Sequence, residues 1–181
     1  FDVIIIGYGP TGGTLASLLV KSNLSVLILE KEKNLYPLPR AVHFDDEIMR
    51  VFETIGIKEK FKKFTIINKG TKFVDNTGKV LLDWPRPREI TENGSYPSYR
   101  FHQPDFEKVI RNHLKGYKNF SFKQNSNVIK IKNTKNYVEI KFEDTETSKQ
   151  ETLRCKYLVG CDGANSITRK KINSQFDNLG F

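Results

Sequence analysis

The sequence predicts an α/β fold, and three observations predict it. A β-branched apolar run, Val3-Ile4-Ile5-Ile6, stops at Gly7, as a fully buried parallel strand does. Leu15, Leu18 and Leu19 then recur at helical spacing within residues 11–21, and a second apolar run, residues 25–29, ends at Glu30. Later segments alternate apolar and polar residues, which adds half-buried antiparallel strands. The first two observations together make a βαβ opening of about thirty residues, the usual size of that unit. With 181 residues the chain is one domain or slightly more, long enough to bury a core.

In chain order, residues 2–6 are the first strand and residues 11–21 the first helix. Asn23 stands where a helix stops on a left-handed residue. Residues 34–39 are a loop with two prolines. A helix is predicted over 45–55, acidic in its first turn and followed by Gly56. A short helix is predicted over 58–64. Residues 65–84 read as strands separated by the turn Asp75-Asn76-Thr77-Gly78, and 85–97 read as loop, broken by Pro85, Pro87, Gly94 and Pro97. The next helix, 106–114, is started by Pro104-Asp105 and stopped by Gly116. Segments 120–122, 128–131 and 137–142 alternate as antiparallel strands do. A last apolar strand, 157–159, enters Gly160-Cys161-Asp162-Gly163, and Ser166 caps a short helix through Ile172.

Composition excludes several classes. Hydrophobic residues make up 38% and charged residues 28%, a globular mixture rather than a disordered one. The longest apolar stretch near the start is far too short to cross a bilayer, and no secretory leader is visible, so no membrane association is expected. Thirty basic against 21 acidic residues leave +9. The densest basic group, Lys58, Lys60, Lys62 and Lys63, lies on a short helix without interleaved aromatics, so it reads as solvated surface and no nucleic-acid partner is expected. Five residues separate Cys155 from Cys161, which is not metal-ligand spacing. Both read as reduced thiols in a reducing, cytoplasmic compartment.

Gly7-Tyr8-Gly9-Pro10-Thr11-Gly12 matches G-x-G-x-x-G, with a strand before it, a helix after it and an acidic residue ending the next strand. In that pattern Gly7 allows the tight turn, Gly9 lets backbone approach a pyrophosphate, and Gly12, with Ala16 one turn on, lets the helix pack close to the sheet. The amino end of the helix offers N–H groups and a positive dipole end to phosphates. Glu30, 23 residues after Gly7, is placed to accept both hydroxyls of an adenosine ribose and to repel a 2′-phosphate. This motif alone leaves FAD and NAD both open.

Leu158-Val159-Gly160-Cys161-Asp162-Gly163-Ala164-Asn165-Ser166-Ile167-Thr168-Arg169 resembles the second fingerprint of the flavin-dependent aromatic hydroxylases: Asp-Gly, then Ser, then Arg three residues after that Ser. Read physically, Asp162-Gly163 is a tight turn after a buried strand. Arg169 is then free to pair with Asp162 or to face a phosphate. Leu38-Pro39-Arg40-Ala41-Val42-His43-Phe44-Asp45-Asp46-Glu47 and Phe101-His102-Gln103-Pro104-Asp105-Phe106-Glu107 are similar to the branch that includes the 3-(3-hydroxyphenyl)propionate hydroxylases and related phenol hydroxylases. The resemblance covers nearly the whole chain.

It implies a Rossmann-like, glutathione-reductase-like FAD-binding domain of three layers, with a partial antiparallel β segment of a substrate domain. The core would be residues 1–60 and 103–172, and residues 65–101 would lead to the substrate sheet. The implied cofactor is FAD, with NADH or NADPH as transient reductant. The implied reaction hydroxylates a phenolic aromatic acid with O2 through a flavin C4a-hydroperoxide. By the same resemblance Arg40 holds the FAD pyrophosphate or ribityl side, Gln103 reaches the ribityl chain, and Val128 offers backbone to the adenine. Pro10, Thr11, Lys31, Ala41 and Asp162 complete the cofactor set with Gly7, Gly9, Gly12 and Glu30. No metal is implied, and no catalytic base is named. His43, His102 and His113 do not form a ligand set, although His43 and His102 flank candidate flavin contacts.

Two departures stand out. Asn23 replaces a glycine usual before the second strand. No third, Gly-Asp fingerprint follows, and the chain ends at Gln175-Phe176-Asp177-Asn178-Leu179-Gly180-Phe181, so the resemblance implies the N-terminal portion of a longer protein. Two other readings stay open: an adenine-dinucleotide-binding fragment without turnover, and a flavin oxidoreductase of the same fold with other chemistry.

Overall fold

In the computed structural model, which describes every residue except Asn178 and Phe181, the chain alternates strands and helices from its start. The elements are β1 Val3–Ile6, α1 Pro10–Lys21, β2 Val26–Leu29, β3 His43–Asp45, α2 Asp46–Ile55, α3 Lys58–Lys62, β4 Thr65–Ile67, β5 Gly70–Val74 and β6 Val80–Pro85. They continue as β7 Ser98–Phe101, α4 Gln103–Leu114, β8 Phe120–Lys123, β9 Ser126–Asn133, β10 Val138–Asp144, β11 Gln150–Cys155, β12 Tyr157–Gly160 and α5 Ile167–Lys171. Contacts divide the chain into two units, one of Phe1–Leu35 with Ile110–Phe181 and one of Tyr36–Val109. Among the described residues no helix is long and apolar enough to cross a membrane.

The first unit is built on a parallel sheet ordered β12-β1-β2-β8. All eight residues of β1 and β2 are buried, which explains why both read as unbroken Val/Ile/Leu runs. One face, Ile4, Ile6, Leu27 and Leu29, packs on Val128, Ile131, Ile140, Phe142 and Cys155 of the antiparallel sheet β11-β10-β9. Each fully buried Ile or Leu here contributes about 1.5–3 kcal/mol. α1 packs on β1 and β2 through a face that includes Ala16, Ser17 and Val20, and Asn23 ends it at φ +61°.

Two readings change in this unit. The alternation in 120–122 suggests an antiparallel strand, but β8 runs parallel to β2 at the sheet edge. Alternation reports one-sided coverage, which an edge strand of a parallel sheet also has, and carries no information about direction. β11 is an added strand: of its residues only Leu153 and Cys155 are apolar, so its pattern was too polar to stand out.

In the second unit β7 is the central strand of the antiparallel sheet β3-β7-β4. One face carries Phe44, Tyr99 and Phe101, which cluster with Phe52 of α2, Phe61 of α3 and Phe106 of α4. Ring centroids in this cluster lie 4.9–5.9 Å apart. β7 and β3 lie outside the predicted strands, because four and three residues beside prolines and a helix cap show no usable period. α2 stops where predicted, with Gly56 closing it at φ +81°, but it starts one residue later: Asp45 is its cap, and the carboxylate accepts from the Ile48 amide at 3.1 Å. β5 and β6 form the hairpin turned at Asp75, and its apolar residues, including Phe73, Leu81 and Trp84, are exposed.

Candidate functional site

The bend between β1 and α1 is shaped by close backbone approaches. Gly7 sits at φ +99°, and a Cβ there would run into the Cys161 carbonyl. A Cβ on Gly12 would run into the Gly7 carbonyl, so the helix meets the strand at a distance only glycine permits. Gly9 differs: a Cβ there would meet no atom within 4 Å. α1 starts with Gly9 as its cap residue and Pro10 in its first turn, with no side-chain cap and no acidic residue there. Its first helical bond runs from the Gly13 amide to the Gly9 carbonyl at 3.0 Å. The Thr11 and Gly12 amides stand ahead of that bond, at the positive end of the helix dipole.

Glu30 follows β2 beside this bend. One carboxylate oxygen accepts from the Tyr8 amide at 2.6 Å and the other from the Glu32 amide at 2.9 Å. The sequence reading expects Glu30 near a ribose; in the structure its carboxylate braces the glycine bend. Lys31 is exposed and pairs with Glu32 at 3.5 Å. Tyr8 is buried edge-on against Phe122 at 4.9 Å, and Arg111 lies 4.3 Å over its ring and donates to its carbonyl at 3.1 Å. Burial pushes the Tyr8 phenol well above its usual range, and Arg111 partly opposes the shift.

At the end of β12, Asp162 accepts from the Ser166 hydroxyl at 2.6 Å and the Thr168 amide at 3.2 Å. Ser166 caps α5 by accepting from the Arg169 amide at 2.9 Å, as predicted. Of the two partners expected for Arg169, Asp162 or a phosphate, it takes up no pairing with Asp162 and no other carboxylate contact among the described residues. It donates to the Ala164 carbonyl at 2.8 Å and lies 3.9 Å over Phe176, while Ser166 and Thr168 donate to Asp162. Burial raises the neighbouring Cys161 thiol, and the Asp162 charge adds to the shift. Val128 has its side chain in the core of the first unit, on β9, an outer strand of its sheet.

The second unit brings together Arg40, Ala41 and Gln103. The Gln103 carboxamide oxygen accepts from the Arg40 amide at 3.1 Å and the Ala41 amide at 2.9 Å, and its NH2 donates to Glu107 at 2.8 Å. The Arg40 guanidinium lies 4.0 Å over the Tyr36 ring. A polar chain that sequence reading missed runs along β7. Asn68 takes the Arg100 Nε and donates to the buried Ser98 hydroxyl, which meets His43 Nε2 at 2.6 Å. Its members are up to 57 residues apart along the chain, so no local spacing betrays it. His102 pairs instead with Asp105 at 2.8 Å and holds that carboxyl below its usual range. A cavity of about 300 Å³ in this unit, lined by residues including Lys62, Ile67 and Tyr99, contains none of the predicted site residues.

Residues 1–179 match a family model described as FAD binding domain. The chain belongs to the FAD binding domain family. It is 34% identical to the "Probable NADH-specific resorcinol 4-hydroxylase" of Rhodococcus jostii (strain RHA1), with 99% of this chain and 34% of that protein covered. It is 29% identical to the 3-(3-hydroxy-phenyl)propionate/3-hydroxycinnamic acid hydroxylase of Mycolicibacterium gilvum (strain PYR-GCK), with 97% of this chain and 30% of that protein covered. The chain therefore spans about a third of the length of these relatives. Its fold matches p-nitrophenol 4-monooxygenase of Pseudomonas putida DLL-E4 at TM-score 0.88 and 24% identity, covering 98% of this chain and 45% of that one. It also matches the flavin-dependent monooxygenase PieE, solved with FAD and substrate, at TM-score 0.86 and 18% identity, covering 97% and 32%.

The group an FAD binding domain implies suits the first unit. The α1 amino end lacks both a side-chain cap and an acid that would repel a diphosphate, and the Gly9 flank is open where backbone must come close to one.

Proposed function

We propose that this chain is the dinucleotide-holding part of an FAD-dependent, NAD(P)H-using aromatic monooxygenase that hydroxylates a phenolic substrate with O2. The observation that carries the reading is the uncapped, acid-free start of α1 behind a bend whose Gly9 side is open, in a chain matched over 1–179 by the FAD binding domain. The Thr11 and Gly12 amides would meet the diphosphate, with Gly7, Gly9 and Pro10 shaping the approach. Glu30 would accept the ribose hydroxyls with lone pairs left over from its bonds to the Tyr8 and Glu32 amides. Lys31 flanks it, and the outer edge of β9 at Val128 would serve the adenine. Asp162 would act by holding the turn into α5 in shape. For Arg40 we propose the role of a fixed cation toward the cofactor, with Ala41 beside it.

When bound and reduced, FAD supplies the O2 activation and oxygen transfer that side chains cannot. The chain's own residues bind it, orient it and set the charge around it. The relatives' names favour a resorcinol-like or hydroxyphenylpropanoid substrate and NADH as reductant. The test is incubation of the purified holoprotein with resorcinol or 3-(3-hydroxyphenyl)propionate under O2, with NADH or NADPH. The expected result is flavin-bound protein, substrate-stimulated NADH oxidation and a singly hydroxylated product. A colourless protein that binds no FAD refutes the reading. Bound FAD without product favours the non-catalytic alternative.

A further inference from the structure

We propose that Arg111 is a positioning residue of the glycine bend: it fixes which way the Tyr8–Gly9 peptide faces, and so whether an amide or a carbonyl oxygen is offered to the cofactor. The consequence for the cofactor rests on the FAD reading above. The orientation of the peptide stands on geometry within the first unit, to which residues from Ile110 onward belong.

Two successive peptides make the bend, and one side chain holds each. Glu30 accepts from the Tyr8 amide at 2.6 Å and so pins the Gly7–Tyr8 peptide. Arg111, in the last turn of α4, donates from Nη2 to the Tyr8 carbonyl at 3.1 Å and so pins the Tyr8–Gly9 peptide. Its guanidinium lies 4.3 Å from the centroid of the same tyrosine's ring, and that ring is buried against Phe122. This end of α4 is packed onto α1: a Cβ on Gly13 would run into the Ile110 side chain.

No peptide bond here is cis, and in a trans peptide the C=O and N–H point in opposite directions. Holding the Tyr8 oxygen therefore turns the Gly9 N–H away from Arg111. That N–H has no acceptor among the described residues, and Gly9 is half-buried, so the donor is left for an anion. Nothing in glycine itself keeps the peptide this way round. Turning it over carries the Gly9 φ from −78° to about +100° with ψ still near extended, a region that only glycine uses at little cost. The overturned peptide would set the Tyr8 oxygen against the oxygens of a diphosphate. The residue type that lets backbone approach a phosphate thus also leaves the peptide loose, and Arg111 supplies the restraint.

Two measurements test this role. The first follows the amide resonance of residue 9 by NMR without FAD. Arg111→Met keeps the side-chain length and removes the donors, and the Gly9 resonance is expected to shift and broaden as the two orientations exchange. In the double variant Gly9→Ala with Arg111→Met it should stay single and sharp, because alanine excludes the overturned peptide. An unchanged Gly9 resonance in Arg111→Met, or the same broadening in both variants, overturns the proposal. The second is a double-mutant cycle on FAD affinity, followed by flavin fluorescence. Arg111→Met should weaken FAD at least about tenfold in the parent, the loss of a hydrogen bond from a charged donor. In the Gly9→Ala background the further loss should be under about threefold, since the peptide is already held. Equal losses in the two backgrounds make Arg111 a direct or purely electrostatic partner of the cofactor and overturn the positioning role. Arg111→Lys, compared in the same two backgrounds, decides by the same rule should Arg111→Met not fold. A parent protein that binds no FAD refutes the function proposed above, while the amide of residue 9 still decides the orientation of the peptide.

Discussion

Gly9 and Gly12 lie three residues apart in one motif, yet the structure assigns them opposite failures on substitution by alanine. At Gly12 the new methyl meets the Gly7 carbonyl, which β2 and the bend hold in place through the Gly7 amide bond to Leu29 at 2.8 Å. Backbone cannot swing aside as a flexible side chain can, so the overpacking cost of about 1–3 kcal/mol applies in full. For a chain of this size that is a fall in Tm of roughly 3–10 °C. At Gly9 no atom lies within 4 Å of the methyl, and φ −78°, ψ −171° suits alanine. The loss of a good cap residue, up to about 1 kcal/mol, is offset by about 0.4–1 kcal/mol from a less flexible unfolded chain. Stability should therefore change by under about 0.5 kcal/mol. On the proposed reading the methyl instead enters the space a diphosphate needs, and about 1–3 kcal/mol of crowding there is expected to weaken FAD about 5- to 150-fold. Thermal unfolding by circular dichroism on apoprotein, with FAD titration followed by flavin fluorescence, separates the two effects. Gly9→Ala that unfolds as readily as Gly12→Ala, or that binds FAD as tightly as the parent, would refute the assignment of that open flank to a phosphate.

Glu30→Gln should lower both stability and FAD affinity. It loses the charge behind the 2.6 Å bond from the Tyr8 amide, worth about 1–2 kcal/mol, and urea unfolding with FAD titration reads both effects. Phe61→Ala should destabilise by about 3–5 kcal/mol, since Phe61 is fully buried among Phe44, Phe52, Phe101 and Phe106; a urea midpoint close to the parent's would show that the aromatic cluster does not hold this unit. Asp2 is held well below the usual carboxylate range by Lys156 and by Ser25. Because its folded pKa is depressed, its contribution is complete above the unfolded value of about 3.9 and disappears as pH falls below that. Asp2→Asn should accordingly flatten the urea midpoint between about pH 4 and pH 2, and parallel curves for the two proteins would contradict the pairing.

The βαβ opening, the glycine bend, the Gly56 stop of α2 and the capped start of α5 were readable in the amino-acid order because each leaves a local mark on residue type. Val3–Ile6 and Val26–Leu29 are buried on both faces and so are uniformly apolar, Gly7 and Gly12 stand where backbone crowds backbone, and Ser166 accepts from an amide three residues ahead. Short strands were harder. β7 has four residues, β3 has three, and the period of β11 is mostly polar, so they exist as strands only because neighbours complete their hydrogen bonds. The direction of β8 was likewise hidden, since alternation records which face is covered and not which way the partner runs. Among site residues, the types Glu30, Arg40, Gln103 and Asp162 were visible, but their partners were not. Hydrogen bonds reach only about 3 Å, and folding alone brings Gln103 to the Arg40 and Ala41 amides and gives Asp162 the Ser166 hydroxyl and the Thr168 amide as donors. Residue order can announce which chemical groups are present; distance in space selects the groups each of them meets.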